Sequence, residues 1–179
     1  MTKKTTYENT LASRMSKSDI KNLAEWAVES PDNRDKLWQW AHSQDRRTAV
    51  NALWAMSHLP GKESRLLVSL RNDFIDMLLA EEDLSKRRIL LSILRKQQFD
   101  PNEIRTDFLD FCLDKINSEC EPYAIRAFCI YLSFKLCRNY PELIAELHQR
   151  LTMLKYQHLQ PGLNCALHKT LAGIKSISE

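Results

Sequence analysis

The chain contains little glycine and little proline, with three and six among 179 residues. A protein of many short strands and tight turns needs more of both, which argues against an all-β fold. No apolar run is long enough to cross a bilayer, and the polar segment 1–10 has no secretory signal. We therefore expect a helical protein of the cytoplasm, without a membrane partner.

Neither sign of charge dominates, and no metal-binding spacing is present. The 26 basic and 23 acidic residues leave a net charge of +3, which does not by itself indicate nucleic acid. The five cysteines are odd in number and include no C-x-x-C pair, so we interpret them as buried thiols in a reducing compartment. The five histidines form no H-x-x-x-H pattern. We predict no metal, no cofactor and no catalytic constellation.

The chain does contain an internal repeat with a shift of 38 residues. Five columns of mostly apolar residues recur at this shift, beginning at Leu37, Trp40, Ala52, Leu53 and Met56. In a chain with 44% hydrophobic residues, one or two such columns would arise by chance, so their spacing is the better indication. Positions 37 and 40, and positions 49, 52, 53 and 56, each describe one face of an α-helix. Each unit therefore holds two helices.

Helix-start residues agree with this division. Asp45, Asp83 and Glu121 lie 38 residues apart, before each of the first three second helices, where an acidic side chain can cap free N–H groups. Pro122 and Pro161 suit a first helical turn, while Gly61 and the Asp100-Pro101 pair suit helix ends. Residues 18–29 form an additional amphipathic pattern, capped by Ser16 or Ser18, that would cover one end of the stack.

These patterns predict an all-α fold, a right-handed α–α superhelix of about four helix pairs and an N-terminal capping helix. We expect about nine helices in a single domain, with residues 1–15 poorly ordered or weakly helical. The predicted boundaries are a capping helix at 16–31 and repeat units near 32–61, 71–98, 104–138 and 142–175.

Two helices per unit, a period near forty residues and an acidic residue followed by arginine resemble HEAT and armadillo repeats. The likeness is closest to short bacterial proteins of Bacteroidetes-type genomes, and it covers nearly the whole chain. The matching stretches are LAEWA at 23–27, PYAIRAF at 122–128, YPEL at 140–143 and PGL at 161–163. This resemblance implies a structural scaffold, because the stretches contain no specific chemistry.

The resemblance also implies two other functions. Some of the similar proteins are labelled adenylosuccinate lyase, but this chain has neither the length nor the glycine-rich, serine-bearing loop of that enzyme. HEAT-like folds also include alkylpurine DNA glycosylases, which use a basic face lined by tryptophan. That likeness keeps nucleic-acid binding as the alternative function.

The best candidates for partner contact lie on the second helices, opposite their core face. We call this set the second-helix stripe: positions 47, 50, 51, 54 and 58, with their equivalents at shifts of 38 residues. In a helical solenoid the second helices usually line the concave surface. The candidate binding residues are Arg47, Trp54, His58, Arg88, Lys96, Tyr123, Arg126, Phe134 and His168.

Two interpretations of this stripe stay open. Its aromatic and arginine side chains suit a protein or peptide segment, or single-stranded nucleic acid. Alternatively, the aromatic residues pack between helices and the arginines pair with Asp45, Asp83 and Glu121 as a structural ladder. Trp38 aligns with polar residues in the other units, so we expect it to be exposed. The leading hypothesis is a non-enzymatic module that binds a protein or peptide; the oligomeric state is undetermined.

Overall fold

The computed structural model describes residues 3–60, 67–100, 103–155 and 157–178. These residues form ten α-helices and no strand, which confirms the all-α prediction with one helix more than expected. The helices are α1 (Lys3–Thr10), α2 (Lys17–Val28), α3 (Pro31–Ala41), α4 (Arg46–Ser57), α5 (Arg71–Ala80), α6 (Leu84–Lys96), α7 (Thr106–Ile116), α8 (Tyr123–Cys137), α9 (Pro141–Leu154) and α10 (Pro161–Ser178).

The helix starts follow from short polar side chains. Ser16 and Asp19 form a reciprocal capping box at α2. Asp45 accepts from the Thr48 N–H at α4, and Asp83 accepts from two N–H groups at α6. Each carboxylate accepts hydrogen bonds from N–H groups that have no partner within the helix. The helices therefore begin at these positions.

One predicted helix cap is wrong, and two residues predicted to mark helix ends lie outside the described part of the chain. Glu121 is not the N-cap of α8, because the residue before that helix is Pro122, which makes no side-chain cap hydrogen bond. The helices α4 and α6 end at Ser57 and Lys96, whereas Gly61 and Pro101 lie outside the described residues.

The apolar columns of the repeat form the core. The column that begins at Leu37 is buried in all four units, and the column that begins at Leu53 is equally buried. Among the residues of the five columns, Phe128 is the exception, because it is only half-buried. Thr170, which interrupts the fifth column, is nevertheless buried at 2% exposure. The 38-residue register therefore identifies the inward face of nearly every helix.

The chain divides into two compact units, and the first comprises Met1–Phe74 and Glu81–Gln97. Within it, α4 packs on α3, α2 and α6. Trp26 of α2 stacks on Trp40 of α3 with ring centroids 5.5 Å apart, as expected for a capping helix. Trp38 was expected to be exposed, but it is half-buried because its ring packs edge-on against Phe74 at 5.1 Å.

The segment before α2 is helical, which agrees with one of the two alternatives predicted for residues 1–15. Residues 3–10 form α1, and both Leu11 and Met15 are buried. Asn51 of α4 explains the docking, since its Nδ2 donates to the carbonyls of Leu11 and Ser13 at 2.8 and 3.0 Å. An amide that binds two backbone acceptors fixes the segment, because buried carbonyls require partners.

The second unit comprises Ile75–Ala80 and Gln98–Glu179. Its central helix is α8, which packs against α7, α9 and α10. Cys112, Cys129 and Cys137 are buried there, as predicted, whereas Cys120 and Cys165 are exposed. Burial raises the pKa of Cys137 to about 12, with a further contribution from the nearby Glu146 charge. Such a thiol stays protonated and unreactive at neutral pH.

Candidate functional site

Part of the second-helix stripe lines a shallow groove in the first unit, which we call the Trp54 groove. Its volume is about 390 Å³. Its walls come from α4, α6 and the segment that precedes α2. The lining residues are Ser13, Arg14, Met15, Arg46, Arg47, Val50, Asn51, Trp54, Ser85, Arg88 and Ile89. The structure thus brings together three predicted binding residues, namely Arg47, Trp54 and Arg88.

Trp54 supplies the aromatic surface of the groove. Its side chain is half-buried on α4, one turn before His58. The His58 ring lies edge-on to the indole, with ring centroids 6.0 Å apart, and its Nδ1 lies 3.0 Å from the Trp54 carbonyl oxygen. His58 therefore supports the indole from the side and is not itself among the lining residues.

Four arginines line the groove, and they differ in their partners. Arg46 forms an ion pair with Asp83 that links α4 to α6, as in the predicted ladder. The side chains of Arg14, Arg47 and Arg88 are exposed and form no hydrogen bond or ion pair within the described ranges. Arg47 has only a longer-range attraction to Asp45. The groove therefore has three guanidinium groups that are available to a ligand.

The cations beside these arginines on α6 are already occupied. Lys86 pairs with Glu81 at 3.3 Å, and the Arg87 Nη2 donates to the Glu81 carbonyl at 2.7 Å. Burial acts to raise the pKa of Asp83, but hydrogen bonds from the Lys86 N–H and from Arg46 outweigh burial and hold that pKa below its usual value. Of the five basic residues at the starts of α4 and α6, only Arg47 and Arg88 face the groove without a close partner.

Lys96 is placed away from the groove. Its Nζ donates to the carbonyl of Ser57 in the last turn of α4. Burial, with the neighbouring charge of Arg95, lowers the pKa of Lys96. A cation at the carboxyl end of a helix satisfies free carbonyls and the helix dipole, so Lys96 has a structural role.

In the second unit, the prediction for Arg126 is wrong. Arg126 is 3% exposed, and its Nε donates to the Ile116 carbonyl at 2.9 Å, at the end of α7. The burial has a physical reason, because the guanidinium satisfies the last turn of a neighbouring helix. Tyr123, 46% exposed, lies with its ring centroid 5.9 Å from the Arg126 guanidinium.

Phe134 and His168 have different environments again. The ring of Phe134 packs directly on the backbone of α10, where a Cβ added at Gly173 would lie 2.8 Å from the Phe134 Cζ. Phe134 therefore packs between helices, as the structural interpretation of the stripe predicted. His168 is exposed on α10. Neither Phe134 nor His168 is among the residues that line the Trp54 groove.

A separate cavity of about 750 Å³ lies between α9 and α10 in the second unit. It is bounded by Pro141, Ile144, His148 and Ile174, none of which the sequence selected. Among the described residues, no group of three or more histidine, cysteine or acidic side chains is placed to hold a metal ion. No helix in the same ranges is both long and apolar enough to cross a membrane.

Sequence reasoning missed Ser13, Arg14 and Met15, which line the groove. They lie in the segment before α2, outside the 38-residue register on which the candidate selection was based. The hydrogen bonds of Asn51 and the burial of Leu11 and Met15 hold that segment. The stripe had included Asn51 as an outward residue, but it is 6% exposed.

Comparison with known proteins gives a family assignment. A family model described as a HEAT repeat domain matches residues 7–174. The searches of curated proteins and of solved structures gave no match. The narrower likeness to a bacterial group, some of whose members are labelled as a lyase, has no support in these comparisons.

Proposed function

Because the chain belongs to the HEAT repeat domain family, we propose that it is a non-enzymatic interaction module that binds a protein or peptide segment in the Trp54 groove. Helical repeat proteins commonly present a surface of this kind to partners. The observation that most supports the proposal is a half-buried tryptophan flanked by three arginines without close partners. Tryptophan and arginine are the residues most enriched among those that contribute strongly to binding.

The chemistry of the groove suits binding better than catalysis. Among the described lining residues there is no histidine, cysteine, lysine or carboxylate that could exchange a proton near neutral pH. Arginine stays protonated, and the lining residues include no base beside the hydroxyls of Ser13 and Ser85, which bond to the Thr10 carbonyl and to the Arg46 guanidinium. An active site in this groove would therefore lack both an activated nucleophile and a general base. A cytoplasmic location is part of the same proposal.

Nucleic-acid binding is the second candidate, since the same arginines would bind phosphate oxygens and the indole would stack on a base. It has weaker support because Arg126, which occupies the Arg88 position in the next repeat, is buried and donates to the Ile116 carbonyl. A basic surface that continued into the next repeat would require that guanidinium to be exposed.

Selection from a library of displayed random peptides tests the proposal. The immobilised wild-type protein should enrich a peptide family, and a synthetic member should bind it in solution. Trp54→Ala should weaken that binding by at least about tenfold, because removing a central aromatic residue commonly costs 2 kcal/mol or more. Met153→Ala is the matched control, since Met153 is 61% exposed in the second unit.

A second variant distinguishes a loss of binding from a loss of folding. Arg88→Glu changes an exposed residue without a described partner, so it should preserve the far-ultraviolet circular dichroism spectrum while weakening the same peptide. The proposal is wrong if no peptide is enriched over the bare support, or if both groove variants bind the enriched peptide as tightly as the Met153→Ala control.

A further inference from the structure

The Trp54 groove has a charge imbalance that limits what it can bind. Four arginines are among its lining residues, and no aspartate or glutamate is. Only Arg46 is neutralised by an ion pair, through Asp83. A cluster of like charges without counter-charges is repulsive, so a ligand that supplies negative charge would gain from entering it.

Among the basic residues at the start of α6, the one that lines the groove is the one without a close partner. On α6, Lys86 and Arg87 face away from the groove and are bound by Glu81. Arg88, the next residue, lines the groove and has no close partner in the described part of the chain. Lys86 and Arg87, which lie outside the groove, thus have partners, whereas Arg88, which lines it, is available to a ligand.

The backbone beside the third free arginine is held in place by a buried amide. Asn51 binds the carbonyls of Leu11 and Ser13, and Arg14 follows directly. Because this anchor is 6% exposed and makes two hydrogen bonds, the backbone beside Arg14 is fixed before any ligand arrives. A fixed site loses less entropy on binding than a mobile one.

We propose that the Trp54 groove binds an extended acidic peptide segment, whose aspartate or glutamate carboxylates pair with Arg14, Arg47 and Arg88 while an apolar side chain lies on Trp54. This inference rests on the proposed function and names the partner's chemistry. The planar guanidinium group matches a carboxylate with two parallel hydrogen bonds, which a lysine cannot do.

The size of the charged region favours a peptide over nucleic acid. Three free arginines around a groove of about 390 Å³ match a few carboxylates of a short segment. Nucleic-acid binders gain affinity from many phosphate contacts along a backbone. In the second unit, the residues at the Arg47 position are Tyr123 and Pro161, and those at the Arg88 position are the buried Arg126 and Asn164. None of them provides an exposed guanidinium.

Fluorescence anisotropy with three labelled synthetic peptides tests the inference. The first alternates glutamate with leucine, the second has glutamine in place of glutamate, and the third has lysine. At low salt the glutamate peptide should bind at least about tenfold more tightly than the glutamine peptide, because hydrogen bonds between charged groups are stronger than neutral ones. The complex should weaken as salt is added.

Charge reversal in the groove supplies the matched variants. Arg14→Glu with Arg88→Glu should weaken the glutamate peptide by roughly a hundredfold, about tenfold for each lost arginine. The same double variant should gain affinity for the lysine peptide. Lys21→Glu with Lys169→Glu makes the same change in net charge at exposed positions outside the groove, and it should bind all three peptides like the wild type.

Three outcomes overturn the inference, and they separate it from the proposed function. Equal, Trp54-dependent binding of the glutamate and glutamine peptides leaves the binding module intact and removes the acidic partner. Tighter, arginine-dependent binding of a labelled single-stranded oligonucleotide replaces the peptide with nucleic acid. If none of these probes binds and the random-peptide selection also fails, the groove is not a peptide site at all.

Discussion

Arg88 and Arg126 occupy the same position of the 38-residue repeat, yet their environments are opposite. Arg88 in the first unit is exposed and lines the Trp54 groove. Arg126 in the second unit is 3% exposed and bonded to the carbonyl of Ile116. One guanidinium is available to a ligand, whereas the other completes the hydrogen bonding of a helix end. The same residue type at the same register position can therefore serve recognition in one unit and stability in the next.

The stripe differs between the units at another position as well. Trp54 and Ser92 in the first unit are half-buried, whereas their equivalents in the second unit are the fully buried Ile130 and the exposed His168. At Ile130 the outward side of α8 has become core, and Phe134, one turn further on, packs on the backbone of α10. This stretch of α8 is therefore covered by a neighbouring helix, whereas Trp54 keeps part of its side chain open to the groove.

The tryptophan and cysteine residues allow the unfolding of the two units to be followed separately. All four tryptophans lie in the first unit, at positions 26, 38, 40 and 54. All five cysteines lie in the second unit, at positions 112, 120, 129, 137 and 165. Tryptophan fluorescence therefore reports on the first unit, and the reactivity of buried thiols reports on the second.

The largest expected effect is on the stability of the second unit. Ile130→Ala should lower the free energy of unfolding by about 2–5 kcal/mol, because it removes a fully buried side chain and leaves a cavity. Ser92→Ala, at the same register position in the first unit, should change it by less than about 0.5 kcal/mol. Urea unfolding followed by thiol reactivity and by fluorescence measures both. Equal costs for the two variants would remove the contrast between the units.

An intermediate effect is expected at the paired arginines. Arg126→Ala should destabilise the protein by about 1–3 kcal/mol, because it leaves the Ile116 carbonyl without its donor and removes the packing of a buried stem. Arg88→Ala should stay within about 0.5 kcal/mol of the wild type, since its side chain is exposed. The same urea experiment applies. A stability loss at Arg88 matching that at Arg126 would mean that both arginines are structural.

The smallest effect concerns pH at the start of α6. Because the folded pKa of Asp83 lies below its ordinary value, the carboxylate stabilises the fold above the unfolded pKa of about 3.9, and this stabilisation is lost as pH falls through the lower folded pKa. At neutral pH, Asp83→Asn should cost less than about 1 kcal/mol, since asparagine still caps a helix while the ion pair with Arg46 is lost.

The difference between Asp83→Asn and wild type should shrink toward zero in acid, as measured by urea unfolding with tryptophan fluorescence. Asp110→Asn removes the same charge from α7 in the second unit and serves as the control. A difference that grows below about pH 4 would contradict the assignment of Asp83 as a carboxylate stabilised by folding.

Several elements were predictable because the relevant physics is local. The helices α3, α4, α6 and α10 begin at or within a few residues of their predicted starts. Asp45 and Asp83 cap α4 and α6 as expected, because a short acidic side chain binds N–H groups of its own helix. At the start of α8 the same reasoning failed for Glu121, since the residue at the cap position is Pro122.

The candidate site was predictable only in part. The register correctly brought Arg47, Trp54 and Arg88 to one surface, because residues that share a helix face or a repeat position are close by construction. It could not distinguish Arg88 from Arg126, which depends on what lies beyond the side chain. It also gave no indication of Arg14, whose segment lies outside the repeat and is held by the hydrogen bonds of Asn51 and the burial of Leu11 and Met15.

The sequence by itself determined the helical class, the 38-residue register, most of the core columns and the caps at α2, α4 and α6. Helix periodicity and capping act within about one turn, so a linear pattern contains them. Only the tertiary structure decided which outward residues became core, where the segment before α2 docks, and which arginines kept no partner. Burial and pairing depend on neighbours that are distant in the chain, and a one-dimensional pattern does not specify those neighbours.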